Sequence, residues 1–160
     1  MKKITTLLAL LLVAVSTLSA QVLINEDFEN SSFPPSGWIS LDEDSLTSSS
    51  SVFTGSWERL SLTSNGTFQA ASGSQYLTTG SSDDWLITPS ITIPNDSAKT
   101  TVISFIYASL LSGVTNFGDL EVKVSTDSTN IADFITNFPI DSNILANTFQ
   151  RRIVNLTQFG

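Results

Sequence analysis

Apolar side chains recur at alternate positions in short runs rich in Val, Ile, Thr and aromatics, and each run is stopped by Gly, Pro, Asn or Ser. A backbone whose successive side chains point to opposite faces produces that period of two, so the runs read as β-strands joined by turns. Residues 120–125 show it most cleanly: Leu120, Val122 and Val124 share one face, Glu121 and Lys123 the other. Residues 100–109 place Ile103, Phe105 and Tyr107 on one side and Val102, Ile106 and Ala108 on the other, which predicts a central strand buried on both faces. Further strands are predicted over residues 22–28, 37–41, 56–62, 75–79, 85–88, 90–93 and 150–156. Helical spacing is confined to Ile131, Phe134, Ile135 and Phe138, just after the capping residue Asn130, and supports a single turn. Many short strands with little helix predict an all-β fold, an antiparallel β-sandwich of the jelly-roll kind.

Residues 1–20 stand apart. Lys2-Lys3, an apolar stretch over 4–15 and the small residues 16–20 have the layout of a secretory signal peptide cleaved before Gln21. The apolar stretch falls short of the roughly 20 residues a membrane-spanning helix requires. With no Cys in the chain, a lipoprotein anchor is excluded. Cleavage would leave residues 21–160 as one domain and remove two lysines, taking the formal charge from −8 to −10. Such an acidic chain repels phosphate backbones and anionic lipid, which argues against nucleic-acid and membrane-surface binding and favours cations. Small exported domains often rely on disulfides. This one must be held by its core, by a metal or by neighbouring domains, a habit more usual in bacterial surface proteins.

The absence of His and Cys removes the Ser-His-Asp triad, Cys-His nucleophiles, histidine zinc sites and thiolate clusters. No Gly-rich phosphate cradle or Gly-x-Ser-x-Gly elbow is present. Paired carboxylates could in principle hydrolyse glycosides, but Asp83 and Asp84 are neighbours and point to opposite faces of a strand, so they cannot flank one bond. No enzyme activity is expected.

Two segments pair bulky aromatics with acidic residues: Glu26-Asp27-Phe28-Glu29-Asn30 leading to Pro34-Pro35-Ser36-Gly37-Trp38, and Asp83-Asp84-Trp85-Leu86-Ile87-Thr88-Pro89. Glu26, Asp27 and Glu29 surround Phe28, and Asp42-Glu43-Asp44 follow Trp38. Either these carboxylates converge on a hard cation such as calcium, which takes six to eight oxygen ligands, or they fan out into water. Trp85, beside Leu86 and Ile87, reads as core. Trp57, near the Ser-rich stretch 45–54, is the candidate exposed platform for a sugar or protein ligand, with Phe53 assisting; the stretch itself reads as a mobile surface loop. Asp44-Ser45-Leu46, Asp96-Ser97-Ala98 and Asp127-Ser128-Thr129 look like an O-glycosylation signal of some Gram-negative bacteria.

The same two segments carry a family resemblance. The opening Glu26-Asp27-Phe28-Glu29, Pro34-Pro35-Ser36-Gly37-Trp38 and Asp42, then Asp83-Asp84-Trp85-Leu86-Ile87-Thr88-Pro89, resemble the cleaved-adhesin (choice-of-anchor J type) domains. Ile103-Ser104-Phe105, residues 120–126 with Asp133-Phe134, and Arg152-Ile153-Val154-Asn155-Leu156 resemble that family's later strands. The resemblance covers residues 22–160. It implies a jelly roll similar to MAM-type domains, on secreted or surface-attached bacterial proteins, non-catalytic, often with structural calcium, and binding matrix proteins, blood proteins or glycans. Carried over, the implied calcium ligands are Asp27, Glu29, Asp42 and Asp44. Two departures stand out: Leu46 and a Ser run replace the family's Asp/Gly-rich loop, and the chain stops where family members continue, so a fragment of a longer protein is expected. The expected function is a secreted adhesion module acting through surface loops. The alternative is an accessory domain of a secreted peptidase or other hydrolase.

Overall fold

The computed structural model describes residues 20–49, 51–53, 56–61, 66–73, 76–96, 98–109, 119–135, 138–139, 141–142, 144 and 148–160. The leader and Ser97 therefore lie outside the described residues. Among the described residues six strands are present: β1 (Ile39–Asp42), β2 (Glu58–Leu60), β3 (Gln69–Ala71), β4 (Asp84–Ile87), β5 (Val102–Tyr107) and β6 (Gln150–Asn155). They pair antiparallel as β1–β4, β2–β3 and β5–β6. Single bridges add Ser48 to Tyr76, Leu120 to Asp141 and Val124 to Ile135, also antiparallel. The fold is all-β with antiparallel pairing, consistent with a sandwich, as the alternation predicts.

The two aromatic-acidic segments become neighbours. Trp38 N–H donates to Pro35 O at 2.9 Å, closing a turn in which Gly37 has φ of 81°. A type II turn requires that left-handed conformation at its third residue, and glycine adopts it without a Cβ clash. The turn delivers β1 into register with β4: Ile39 faces Ile87, Ser40 faces Leu86, Leu41 faces Trp85 and Asp42 faces Asp84. A Cβ on Gly37 would lie 3.2 Å from Pro89 Cγ, so the glycine also lets the end of β4 approach the turn.

Side chains join β1–β4 to β2–β3. Ser40 and Ser56 share a hydroxyl–hydroxyl bond at 2.9 Å, Ser56 donates to Leu41 O at 2.6 Å, and Ser40 donates to Trp57 O at 3.3 Å. The Trp57 indole N–H reaches Asp84 O at 3.2 Å. Short polar side chains therefore act where no backbone ladder runs, each net contribution being about 1 kcal/mol.

In β5–β6, Ile103, Phe105 and Tyr107 turn inward, while Val102 and Ile106 are 50% and 68% exposed. The expectation of a strand buried on both faces is corrected: β5 has an inner and an outer face, and Ile153 on β6 shares the outer one. Residues 22–28 and 90–93 form no strand, and 120–125 and the described 76–79 reach only single bridges, at Leu120, Val124 and Tyr76. In the first case, side-chain oxygens take the N–H groups a ladder would use: Glu26 Oε1 accepts from Phe28 N at 2.7 Å and Asp27 Oδ1 from Glu29 N at 3.0 Å. Residues 90–93 sit between Pro89 and Pro94, neither of which can donate to a ladder. The expected helical turn is a 3₁₀ turn at Ile131–Asp133, with Asn130 capping it by accepting from Ala132 N. Among the described residues the buried aliphatic side chains are Ile87, Val154 and Leu156, and Pro35 is buried beside the turn.

Gly37→Ala and Gly66→Ala separate the two demands on Gly37. Both residues have positive φ, near 80°, but a Cβ on Gly66 meets nothing within 4 Å. Each substitution carries the left-handed backbone cost of about 1–2 kcal/mol, and Gly37→Ala adds the displacement of Pro89. Urea unfolding should show the larger loss for Gly37→Ala, and equal losses would remove the Pro89 contact from the account.

Candidate functional site

The acidic opening segment is a knot of local turns. Phe28 has φ of 61°, a conformation a bulky residue adopts only when held there. Glu26 holds its N–H, and Arg59 Nε holds its carbonyl at 2.6 Å. Arg59 also donates to Glu29 O at 2.8 Å and lies over the Phe68 ring, 3.3 Å from its centroid. Glu29 Oε1 accepts from Phe68 N at 2.9 Å, and Phe28 packs edge-on against Trp38 at 5.6 Å. Asp27 and Glu29, two of the four ligands implied by the resemblance, thus sit in this Arg59-centred knot.

The other two, Asp42 and Asp44, do come together, and with a third carboxylate that the sequence did not nominate. One oxygen each of Asp42, Asp44 and Asp84 lies within 4.8 Å of the others. Asp42 Oδ1 accepts from Ser45 N at 2.7 Å, and Asp44 accepts from Leu46 N and Asp83 N, both at 2.6 Å. Asp84 Oδ2 accepts the hydroxyls of Ser72 at 2.5 Å, Ser82 at 3.1 Å and Tyr76 at 3.3 Å. Among the described residues the ion pairs are Lys99–Asp96, Lys123–Glu121 and Arg152–Asp141, so no Lys or Arg balances this trio.

Burial pushes the Asp84 carboxyl above the usual carboxylate range; the Ser72 and Ser82 hydroxyls oppose this and the Asp44 charge reinforces it. The Tyr76 phenol is also raised, first by its burial and further by the charges of Asp84 and Asp44. Asp84 escaped sequence reasoning because only the strand register places it opposite Asp42. Asp83 behaves as strand alternation requires: it turns the other way and accepts from Trp85 Nε1 at 2.8 Å. Trp85, expected in the core, is half-buried, packing against Phe134 at 5.6 Å with the Lys123 ammonium 4.9 Å from its ring.

The Ser-rich stretch is tied down where it is described. Leu77 N donates to Thr47 O at 3.0 Å and Ser48 bridges Tyr76. A Cβ on Gly73 would lie 3.2 Å from the Phe53 ring, so that ring packs on the Gly73 backbone. Trp57 instead lines an open cleft of about 510 Å³ with Ser31, Phe33, Pro34, Glu58 and Arg59. Of the glycosylation-like tripeptides, Ser45 is exposed at φ of 54°, whereas the Ser128 hydroxyl is engaged with Asp133 at 2.5 Å.

The Cleaved Adhesin Domain family matches residues 21–158, most of the chain and both aromatic-acidic segments. The protein belongs to this family. No curated protein and no solved structure matches the chain. Membership of the cleaved adhesin domain family identifies an adhesin-type module. In this cleaved adhesin domain, the Asp84 carboxylate belongs to the aspartate trio while its carbonyl accepts from the Trp57 indole.

The raised Asp84 carboxyl fixes the sign of a pH effect. Between the ordinary aspartate pKa and the raised one, the folded chain keeps a proton that the unfolded chain has released. Stability contributed by this group is therefore lost as pH rises through that window. Urea midpoints of wild type and Asp84→Asn, measured in chelator from about pH 4 to about pH 7, should give a difference that moves against the wild type as pH rises. A flat difference would mean that Asp84 is not perturbed.

Proposed function

We propose that this protein is a secreted, non-catalytic adhesion module that binds extracellular protein or glycan ligands through its surface loops, with calcium as a structural ion at Asp42, Asp44 and Asp84. Family membership over residues 21–158 carries the adhesion reading. The lack of His and Cys, together with Asp83 and Asp84 facing apart, supports the non-catalytic part.

The chemistry of the trio supports calcium. Calcium–oxygen distances of about 2.3–2.6 Å allow two ligands of one ion to lie up to about 5 Å apart, and the three oxygens fall within 4.8 Å of one another. The donors are hard carboxylates with no cationic side chain balancing them, which suits a hard divalent ion. Asp27 and Glu29 are not part of this site, because Glu29 is engaged with Phe68 N and the segment is held by Arg59. A bound ion would supply charge compensation. The chain supplies the rest: Asp42 and Asp44 fix the backbone of Ser45 and Leu46, where the Ser-rich loop leaves β1. Neutralising the trio would therefore steady the base of a display loop.

Melting with calcium and with chelator tests the ion. Saturation at a hundred times Kd stabilises by about 2.7 kcal/mol, so calcium should raise Tm by several degrees in wild type and by much less in Asp42→Asn/Asp84→Asn. An equal Tm in both conditions removes the ion. Binding of the recombinant chain to immobilised matrix proteins and glycans tests adhesion, and turnover of a substrate or the absence of any ligand would overturn that reading.

A further inference from the structure

We infer that Gln21 is a modification site: once the leader is removed, its side chain closes on its own α-amino group, and the mature chain begins with a pyroglutamyl lactam. This inference rests on the secretion part of the adhesion reading and adds to it the chemical form of the terminus.

Two observations fix the position. The signal-peptide layout of residues 1–20 places cleavage before Gln21, and the family match begins at residue 21. The structure leaves this junction accessible. Ala20 and Gln21 are exposed and lie outside every strand, and Val22 is 74% exposed. Among the described residues nothing bonds to Gln21, and the described segment is first tied down by Glu26 Oε1, which accepts from Phe28 N at 2.7 Å. Cleavage and ring closure at residue 21 therefore break no ladder and no anchor.

Hydrolysis of the Ala20–Gln21 bond consumes one water and frees the α-amine. An α-amino group has a pKa of about 7.7–8.0, so near neutral pH a sizeable minority is unprotonated and nucleophilic. Its nitrogen reaches the side-chain carbonyl carbon, Cδ, in a five-membered ring, and attack within one residue avoids the entropic cost of bringing two molecules together. The Nα–Cδ bond forms and the Cδ–Nε2 bond breaks. The amide nitrogen leaves as ammonia, taking the proton that the amine gives up. No oxidant, reductant or co-reactant enters. Asn, one methylene shorter, would need a strained four-membered ring.

The lactam is uncharged, whereas the amine it replaces is largely cationic. Aminopeptidases grip a free α-amine, and exposed termini are where proteolysis concentrates. The residues behind Gln21 lead to Phe28, whose ring packs on Trp38 at 5.6 Å and whose carbonyl Arg59 holds. A module that works outside the cell keeps this knot when its first residue offers no amine.

The full chain, with its leader, should be expressed in an exporting bacterium and recovered from outside the cytoplasm, its terminus read by intact mass and by tandem sequencing of the first peptide. The expected species begins at residue 21, lacks one ammonia, about 17 Da, and resists Edman degradation. Gln21→Asn should be cleaved at the same bond, keep its full mass and lose residues to an aminopeptidase that wild type retains. Mass reads the terminus of either chain whether or not it is folded. A wild-type chain that begins at residue 21 at full mass, or Gln21→Asn with the same loss of ammonia, overturns the inference and leaves secretion standing. Cleavage at another bond does the same. A chain that keeps its leader inside the cell fails the secretion reading as well.

Discussion

The pairing of β1 with β4 is the constraint on which the rest of this structure depends. It joins two segments distant in sequence, just after a turn that Gly37 adopts without a Cβ clash, and it sets Asp42 directly across from Asp84. Like charges directly opposite on a sheet are unfavourable. Carboxylate oxygens within 4.8 Å of each other repel by about 3.5 kcal/mol or more at an effective dielectric of 20, and solvent lowers this because Asp42 is exposed. Hydrogen bonds to a charged group are worth about 1.5–3 kcal/mol each, and Asp84 receives three hydroxyls. The hydroxyls offset part of this cost, but burial still outweighs them and holds the Asp84 carboxyl above its usual range. A cation at the trio would add stability to a pairing that already holds.

Much of the fold was legible because strand alternation and turn residues are local signals. β1, β2, β4, β5 and β6 fall inside or beside the predicted runs, and Asn130 caps its 3₁₀ turn. The failures are instructive for the same reason. Residues 22–28 carry the apolar pattern, yet Glu26 and Asp27 capture the amides two residues ahead, and a side chain that competes for the backbone is invisible to a hydrophobic period. Val102 and Ile106 read as buried because they are apolar, but exposure is a property of what covers a face, and composition does not report it. Asp42 and Asp44 were readable as acidic candidates; Asp84 became one only through register. Phe53 and Trp57 are near in sequence, yet Gly73 offers one ring a flat backbone to pack on while the other is drawn to Asp84 O.

With no cysteine and few buried apolar side chains among the described residues, polar stitching has a large part in defining the geometry. Ser40, Ser56 and Trp57 tie one strand pair to the next, and Arg59 clasps the opening segment through two carbonyls while lying on Phe68. Arginine suits that position because its planar fork reaches two acceptors and still presents a face to an aromatic ring; a lysine would supply a point charge and neither geometry.

These stitches also link the two candidate sites. The Asp84 carboxylate belongs to the trio at the base of the Ser-rich loop, and its carbonyl, on the same residue, positions the indole of the cleft. Any shift of β4 that relieves repulsion among the three carboxylates displaces the acceptor that fixes Trp57. Conversely, a ligand that presses on the indole acts on the backbone at Asp84. Coupling of this kind needs no long pathway, because one peptide unit is shared. It is reciprocal by thermodynamic necessity: whatever an ion at the trio does to ligand affinity in the cleft, the ligand does equally to ion affinity. Were an ion held at the trio, its effect would reach the Trp57 indole through this one strand.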